Sequence, residues 1–193
     1  MNPRRIAIKL HATRNVGLHE LHPFIGVFHR FIQQASVPGL LIDVADYAHV
    51  PDGPGIILIG HDVDYGIDRT GGRTGLLTTR KRAGDVAVAE LFRSTLAMAL
   101  ATAQAIAADG EAGLEFGVDA VQIAFPDRLA LPNTAEAAEA ALKALEPVVH
   151  ELFGDGARLA ADDPATDPRR MLTLQVTAPG AELAPLRAKL EQS

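Results

Sequence analysis

Six of the seven histidines, His11, His19, His22, His29, His49 and His61, fall in the first third of the chain, together with the carboxylates Asp43, Asp46, Asp52, Asp62, Asp64 and Asp68. Imidazole and carboxylate bind hard or borderline divalent metals and exchange protons near neutral pH. The chain has no cysteine, which excludes disulfides, thiolate catalysis and Cys-ligated zinc or iron–sulfur, so a transition-metal site has to be built from His and Asp. Spacing then discriminates. His22 and His29 share one side of an expected helix but stand two turns, roughly 10 Å, apart, too far to grip one ion. They border the apolar stripe, where an amphipathic side chain keeps its polar tip in water. No HExxH pattern is present.

Two segments are better placed. Gly60-His61-Asp62-Val63-Asp64-Tyr65 follows an apolar strand, and in extended chain His61 and Tyr65 point to one face while Asp62 and Asp64 point to the other. Asp43-Val44-Ala45-Asp46-Tyr47-Ala48-His49 closes the preceding strand. If the two polar ends meet, His61, Asp62, Asp43 and Tyr65 form a catalytic set, with His49 or His61 as general base and Asp43 or Asp62 orienting it. His49, His61 and Asp64 then offer ligands to a divalent metal ion as cofactor. The plainer account is that Asp and Tyr cap turns and edges and that His61 belongs to the core. A third feature is Arg69, Arg73, Arg80, Lys81 and Arg82 around Gly71-Gly72 and Gly75. Arginine forks bind carboxylate or phosphate, so Arg69, Arg73 and Arg80, with Asp46 and Tyr47, make a binding set for a small anionic ligand, or a surface on which a homo-oligomer or acidic partner docks. GxGxxG, GxxxxGK[ST] and GxSxG are absent, so dinucleotide, P-loop and α/β-hydrolase chemistry have no support.

The elements that position these residues follow from periodicity. Ile6, Ile8 and Leu10 alternate with Arg5, Ala7 and Lys9 as a strand, and Leu21, Phe24, Ile25, Phe28 and Ile32 recur at helical spacing, with Pro23 limiting where that helix begins. Residues 40–44 form a strand, Pro51-Asp52-Gly53-Pro54-Gly55 turns the chain, and Ile56-Ile57-Leu58-Ile59-Gly60, apolar on both faces, predicts a central strand. The Gly71-Gly72 turn leads into a strand at 76–79, and Asp85 caps a long Ala-rich helix carrying Leu91, Phe92, Thr95, Met98, Ala99, Thr102 and Ile106. Later come a strand at Val121, Ile123 and Phe125 and a helix with an Asn133/Glu136 capping box and a stripe at Ala138, Leu142, Leu145, Val149 and Leu152. A short strand at 158–161, a strand at Leu172, Leu174 and Val176 with polar Thr173, Gln175 and Thr177 opposite, and a helix from about 181 to 191 complete the chain. The expectation is an α+β, two-layer fold of two β-α-β-β-α-like halves, a duplicated ferredoxin-like arrangement on a mixed or antiparallel sheet. Residues 1–110 make a first unit carrying the site and 111–193 a second packed against it.

Composition bounds the function. With 48% hydrophobic residues among 193 the chain can bury a core, and a net charge of −6 argues against wholesale binding of nucleic acid or anionic membrane. The N-terminus lacks a signal-peptide core and no run reaches the roughly 18 apolar residues of a membrane span, so a cytoplasmic, bacterial-type protein is expected. The stretch from Leu41-Ile42-Asp43-Val44-Ala45-Asp46-Tyr47 through Gly53-Pro54-Gly55, Gly60-His61-Asp62 and Leu76-Leu77 to Arg80-Lys81-Arg82 resembles uncharacterised bacterial proteins with no assigned activity. It covers under a third of the chain and carries no function over. The expected function is binding of a small polar ligand or divalent metal at 43–49 and 61–65. The alternatives are an accessory or homo-oligomeric role through the basic hairpin 68–82, and an anion-binding regulatory domain.

Overall fold

The computed structural model describes residues 2–50, 52–162 and 169–192. Pro51 of the expected turn and most of the Pro/Asp loop before Leu172 lie outside the described residues. The chain is α+β, with four helices and one antiparallel sheet of eight strands. The elements are β1 (Ile6–Ala12), α1 (Pro23–Gln34), β2 (Leu41–Tyr47), β3 (Gly55–Gly60), β4 (Val63–Asp68), β5 (Gly75–Arg80), α2 (Val88–Ala108), β6 (Phe116–Phe125), α3 (Ala135–Phe153), β7 (Arg158–Ala161), β8 (Leu172–Thr177) and α4 (Leu183–Gln192). The sheet order is β2-β3-β4-β5-β1-β6-β8-β7. β1 pairs with β6, so the two expected units share a continuous sheet.

Alternation sorts each strand's side chains onto two faces. Ile8 stands opposite Thr78 on one side and Ile123 on the other, and Ile123 opposite Leu174, so Ile6, Ile8, Leu10, Val121, Ile123, Phe125, Leu172 and Leu174 share a fully buried face. Tyr65, opposite Thr78 and Leu58, belongs to it. Its hydroxyl donates to the carbonyl of Pro38 just past α1 (2.8 Å), and Arg80 on the same face reaches Met98 of α2, so α1 and α2 cover this side. α2 also packs on α3 and α4. The opposite face carries Ala7, Lys9, Leu77, Thr79, Gln122, Ala124, Thr173 and Gln175.

Local rules account for the element ends. Pro23 occupies the first turn of α1, where its missing N–H has no intrahelical partner, and a 3-10 turn at Leu18–Glu20 precedes it. Asp85 instead accepts from Asn2, and α2 begins at Val88 after Ala87. Thr134, not Asn133, caps α3, accepting from the Ala137 N–H. α2, with 21 residues and a mean hydropathy of 1.3 over 18 of them, is long and apolar enough by composition to cross a membrane, although Glu90 and Arg93 interrupt its apolar run. Here its Leu91, Phe92, Leu96, Ala99, Leu100 and Ala103 are buried in the core. β3 is second from the sheet's end, not central: Ile57 and Ile59 sit half-buried on the Lys9 face, and this partial cover explains their apolar character.

Tyr65 is fully buried and burial pushes its phenol up to about 12. Tyr65→Phe leaves the Pro38 carbonyl without its donor and is expected to cost about 1 kcal/mol in urea-unfolding stability. The far-UV spectrum should not change.

Candidate functional site

The antiparallel register decides where the expected site residues go. Tyr47 lies opposite Gly55 at one end of the β2–β3 hairpin and Leu41 opposite Gly60 at the other. His49, in the turn after β2, is therefore separated from His61, after β3, by the length of a six-residue strand, roughly 20 Å at 3.3 Å per residue. The Tyr47–His49 end of the first segment is therefore remote from His61, whereas Asp43, opposite Ile59, stays near the His61 end with its carboxylate exposed. Among the described residues no group of three or more His, Asp or Glu side chains is placed to hold a metal ion, so the metal set His49, His61 and Asp64 is not assembled.

The catalytic set is also divided. His61 Nδ1 meets Asp62 Oδ1 (2.9 Å) and its Nε2 meets Arg82 Nη1 (2.9 Å). Arginine can only donate, which assigns the proton to Nδ1 and occupies the Nε2 lone pair a general base needs. Asp64 accepts from Lys81 Nζ (2.7 Å) and from the Gly60 N–H (3.1 Å), tying the turn together. Asp43 is exposed on the edge strand, its carboxylate accepting from the Val44 N–H, and Tyr65 points into the core. The ligand-binding set is split by β5: Arg69 and Arg73 flank the Gly71-Gly72 turn before the strand, whereas Arg80 ends it and faces α2. Asp46 and Tyr47 lie at the far end of β2, on opposite faces.

Asp46 does gather neighbours unconnected in sequence. With Leu18, His19, His22, Ala48 and His49 it lines a hollow of about 320 Å³. His22, read from sequence as a helix boundary residue, thus comes near His49 because α1 packs over β2.

A larger constellation lies on the face opposite α1 and α2. Lys9 and Asp68 are both buried, at 3% and 2% exposure, and form an ion pair. Lys9 Nζ also donates to the Thr70 carbonyl (2.9 Å), while Thr70 returns its hydroxyl to Asp68 Oδ1 (2.7 Å). Lys9 lies on β1 and Asp68 on β4, with β5 between them. Gly75 on β5 makes the reach possible: a Cβ there would stand 2.8 Å from Lys9 Cε and 2.6 Å from the Leu10 carbonyl oxygen. This pair floors a concavity of about 470 Å³ lined by Ala7, Leu77, Thr79, Gln122, Ala124 and Thr173, with Asp162, Arg169 and Arg170 contributing from the segment before β8. Lining of small apolar and hydroxyl or amide groups around a few charges is the chemistry of a small-molecule site.

His11 stands two residues beyond Lys9 on the same face of β1. Its Nδ1 is buried with no hydrogen-bond partner among the described residues. Burial, reinforced by the positive charges of Arg73 and Lys9, pushes its pKa down to about 4. Gln122 was not singled out from sequence; His11 entered only among the clustered histidines, and Lys9 and Thr173 only as alternate residues of their strands. The available signal was the polar alternate series of strands whose other series is apolar, but which polar series meet depends on strand order.

No protein-family model, no curated protein and no solved structure matches this chain.

Two outcomes follow. Lys9→Met or Asp68→Asn alone leaves an uncompensated buried group and should lower unfolding stability by about 3–5 kcal/mol, while the double variant recovers most of the loss in a double-mutant cycle. The unfolded chain protonates His11 below about pH 6.5 while the folded chain resists, so this group's stabilisation is full above that pH and is lost as pH falls towards 4. Urea midpoints measured across pH 7 to 4 should slope less in His11→Asn, the difference having an upper limit of about 3 kcal/mol.

Proposed function

We propose that this protein binds a small polar ligand bearing a carboxylate or phosphate group, in the hollow floored by Lys9 and Asp68. The observation that carries this reading is the buried ammonium of Lys9 beneath a concavity of ligand size. An ammonium has three donors; Asp68 and the Thr70 carbonyl take two, and the third is available to an acceptor above the sheet. That free donor on a cationic nitrogen favours an anionic acceptor over a cation. Thr79, Gln122 and Thr173 supply orienting hydrogen bonds, and Ala7, Leu77 and Ala124 the apolar floor. Specificity then rests on a rigid sheet, with binding groups on adjacent strands fixed by the ladder. The small polar ligand expected from the sequence is retained, and its place moves from the strand ends to the middle of the sheet.

We also propose the two halves as duplicated ferredoxin-like units packed in two layers, the first extended by a hairpin. Support comes from topology: β1 pairs with β5, the strand before α2, as β6 pairs with β8, the strand before α4.

Titration of the ¹⁵N-labelled protein with succinate, citrate and inorganic phosphate tests the binding site. At least one should saturably shift the amides of Lys9, Leu77, Gln122 and Thr173, and at 100 times its Kd should raise stability by about 2.7 kcal/mol. Gln122→Leu should weaken that anion about tenfold while leaving the fold intact. Shifts confined to other surfaces, or none with any anion, would sink the proposal.

A further inference from the structure

We infer that β2 is a docking edge for an extended polypeptide segment carrying lysine or arginine, which adds to the sheet as a ninth strand. β2 pairs with β3 along one side and forms one end of the sheet. An edge strand turns alternate N–H and C=O groups outward, ready to pair with another chain. Here the Val44 N–H donates to Asp43 Oδ1 (2.8 Å), and the Ala48 N–H, just beyond the strand, donates to Asp46 Oδ1 (2.8 Å). Within the strand, the Val44 N–H is thus taken by the chain's own carboxylate. Apolar side chains gather around it: Leu40, Ile42, Tyr47 and Val50 are four of the seven large hydrophobics most exposed among the described residues, and all lie in β2 or within three residues of it. The other end of the sheet, β7, has four residues and, among the described residues, no such cluster.

Charge selects the occupant. A docking strand must offer a carbonyl to the Val44 N–H, which displaces the Asp43 carboxylate from its donor. That carboxylate is then free to pair with a cation on the docking segment. The β2 sequence Leu-Ile-Asp-Val-Ala-Asp-Tyr contains none, so a second copy would bring two more carboxylates to the seam, and like charges across a strand pair destabilise it. A basic segment satisfies both the backbone and the released acids. Asp43 lies opposite Ile59 and Asp46 opposite Ile56, on opposite faces of the sheet. The matching segment therefore carries its two cations three residues apart, with apolar residues near Ile42 and Tyr47. Backbone pairing gives the affinity and the paired charges the selectivity.

The probe is the capped peptide acetyl-Thr-Val-Lys-Val-Thr-Lys-Val-Thr-amide, titrated into the ¹⁵N-labelled full chain, with sedimentation velocity on the protein alone. The expected result is saturable shifting of the Val44 and Asp46 amides. Binding should weaken at least about tenfold when both peptide lysines are glutamate, and similarly in Asp43→Asn/Asp46→Asn. Val44→Pro removes the outward donor at a position where an edge strand tolerates proline, and should abolish binding. Should that variant fail to fold, the wild-type amide shifts and the glutamate peptide decide the matter. Absence of β2 shifts, equal binding of the glutamate peptide, or a wild-type dimer that Val44→Pro renders monomeric would each overturn the inference, the last in favour of a second copy on this edge.

Discussion

Burying a lysine and an aspartate in the middle of a sheet is costly unless they meet each other and their remaining hydrogen-bonding capacity is used. Lys9 and Asp68 satisfy that condition across an intervening strand, and much of the surrounding structure follows from it. Gly75 has to lack a side chain for the lysine stem to pass. Thr70 has to close the β4–β5 turn so that its carbonyl and hydroxyl complete the set. The segment after β1 is pinned to the same turn, Val16 N–H donating to Thr74 Oγ1 and Asn15 accepting from the Thr74 N–H. The pair thus fastens the β4–β5 hairpin to the central strand, and the floor of the hollow is set by the same contacts.

The antiparallel ladder has a second consequence. Hairpins carry consecutive strand ends to opposite ends of the sheet, so residues close in sequence are dispersed and residues remote in sequence are brought together. His49 and His61 part for that reason, and Arg73 and Arg80 part across β5. Lys9, Gln122 and Thr173 meet because β1, β6 and β8 are neighbours in the sheet while more than a hundred residues separate the first from the second in sequence. The clustering of His, Asp and Arg in residues 43–82 is therefore a property of the chain's composition and not of a single pocket. His61 and Asp64 stabilise a tight turn through Arg82 and Lys81, a structural use of residues whose types suggest catalysis.

The sequence by itself determined most of the elements. Ile6, Ile8 and Leu10 declared β1, the stripe of Leu91, Phe92, Thr95 and Ile106 declared α2, and Gly71-Gly72, both at positive φ, declared the turn into β5, because periodicity and backbone permissiveness are local properties. β4 was not foreseen as a strand of its own: residues 61–65 read only as extended chain, and the partners that satisfy Asp64 and Asp68 on its one face, Lys81 and Lys9, come from outside that strand. Only the tertiary structure decided which strand faces touch, and with them the hollow over Lys9, the burial of Tyr65, the hollow that His22 and His49 both line, and the exposure of β2 as an edge. Alternation assigns side chains to two faces of a strand, but the order of strands in the sheet is fixed by the combined burial of all eight, and no short stretch of sequence encodes it.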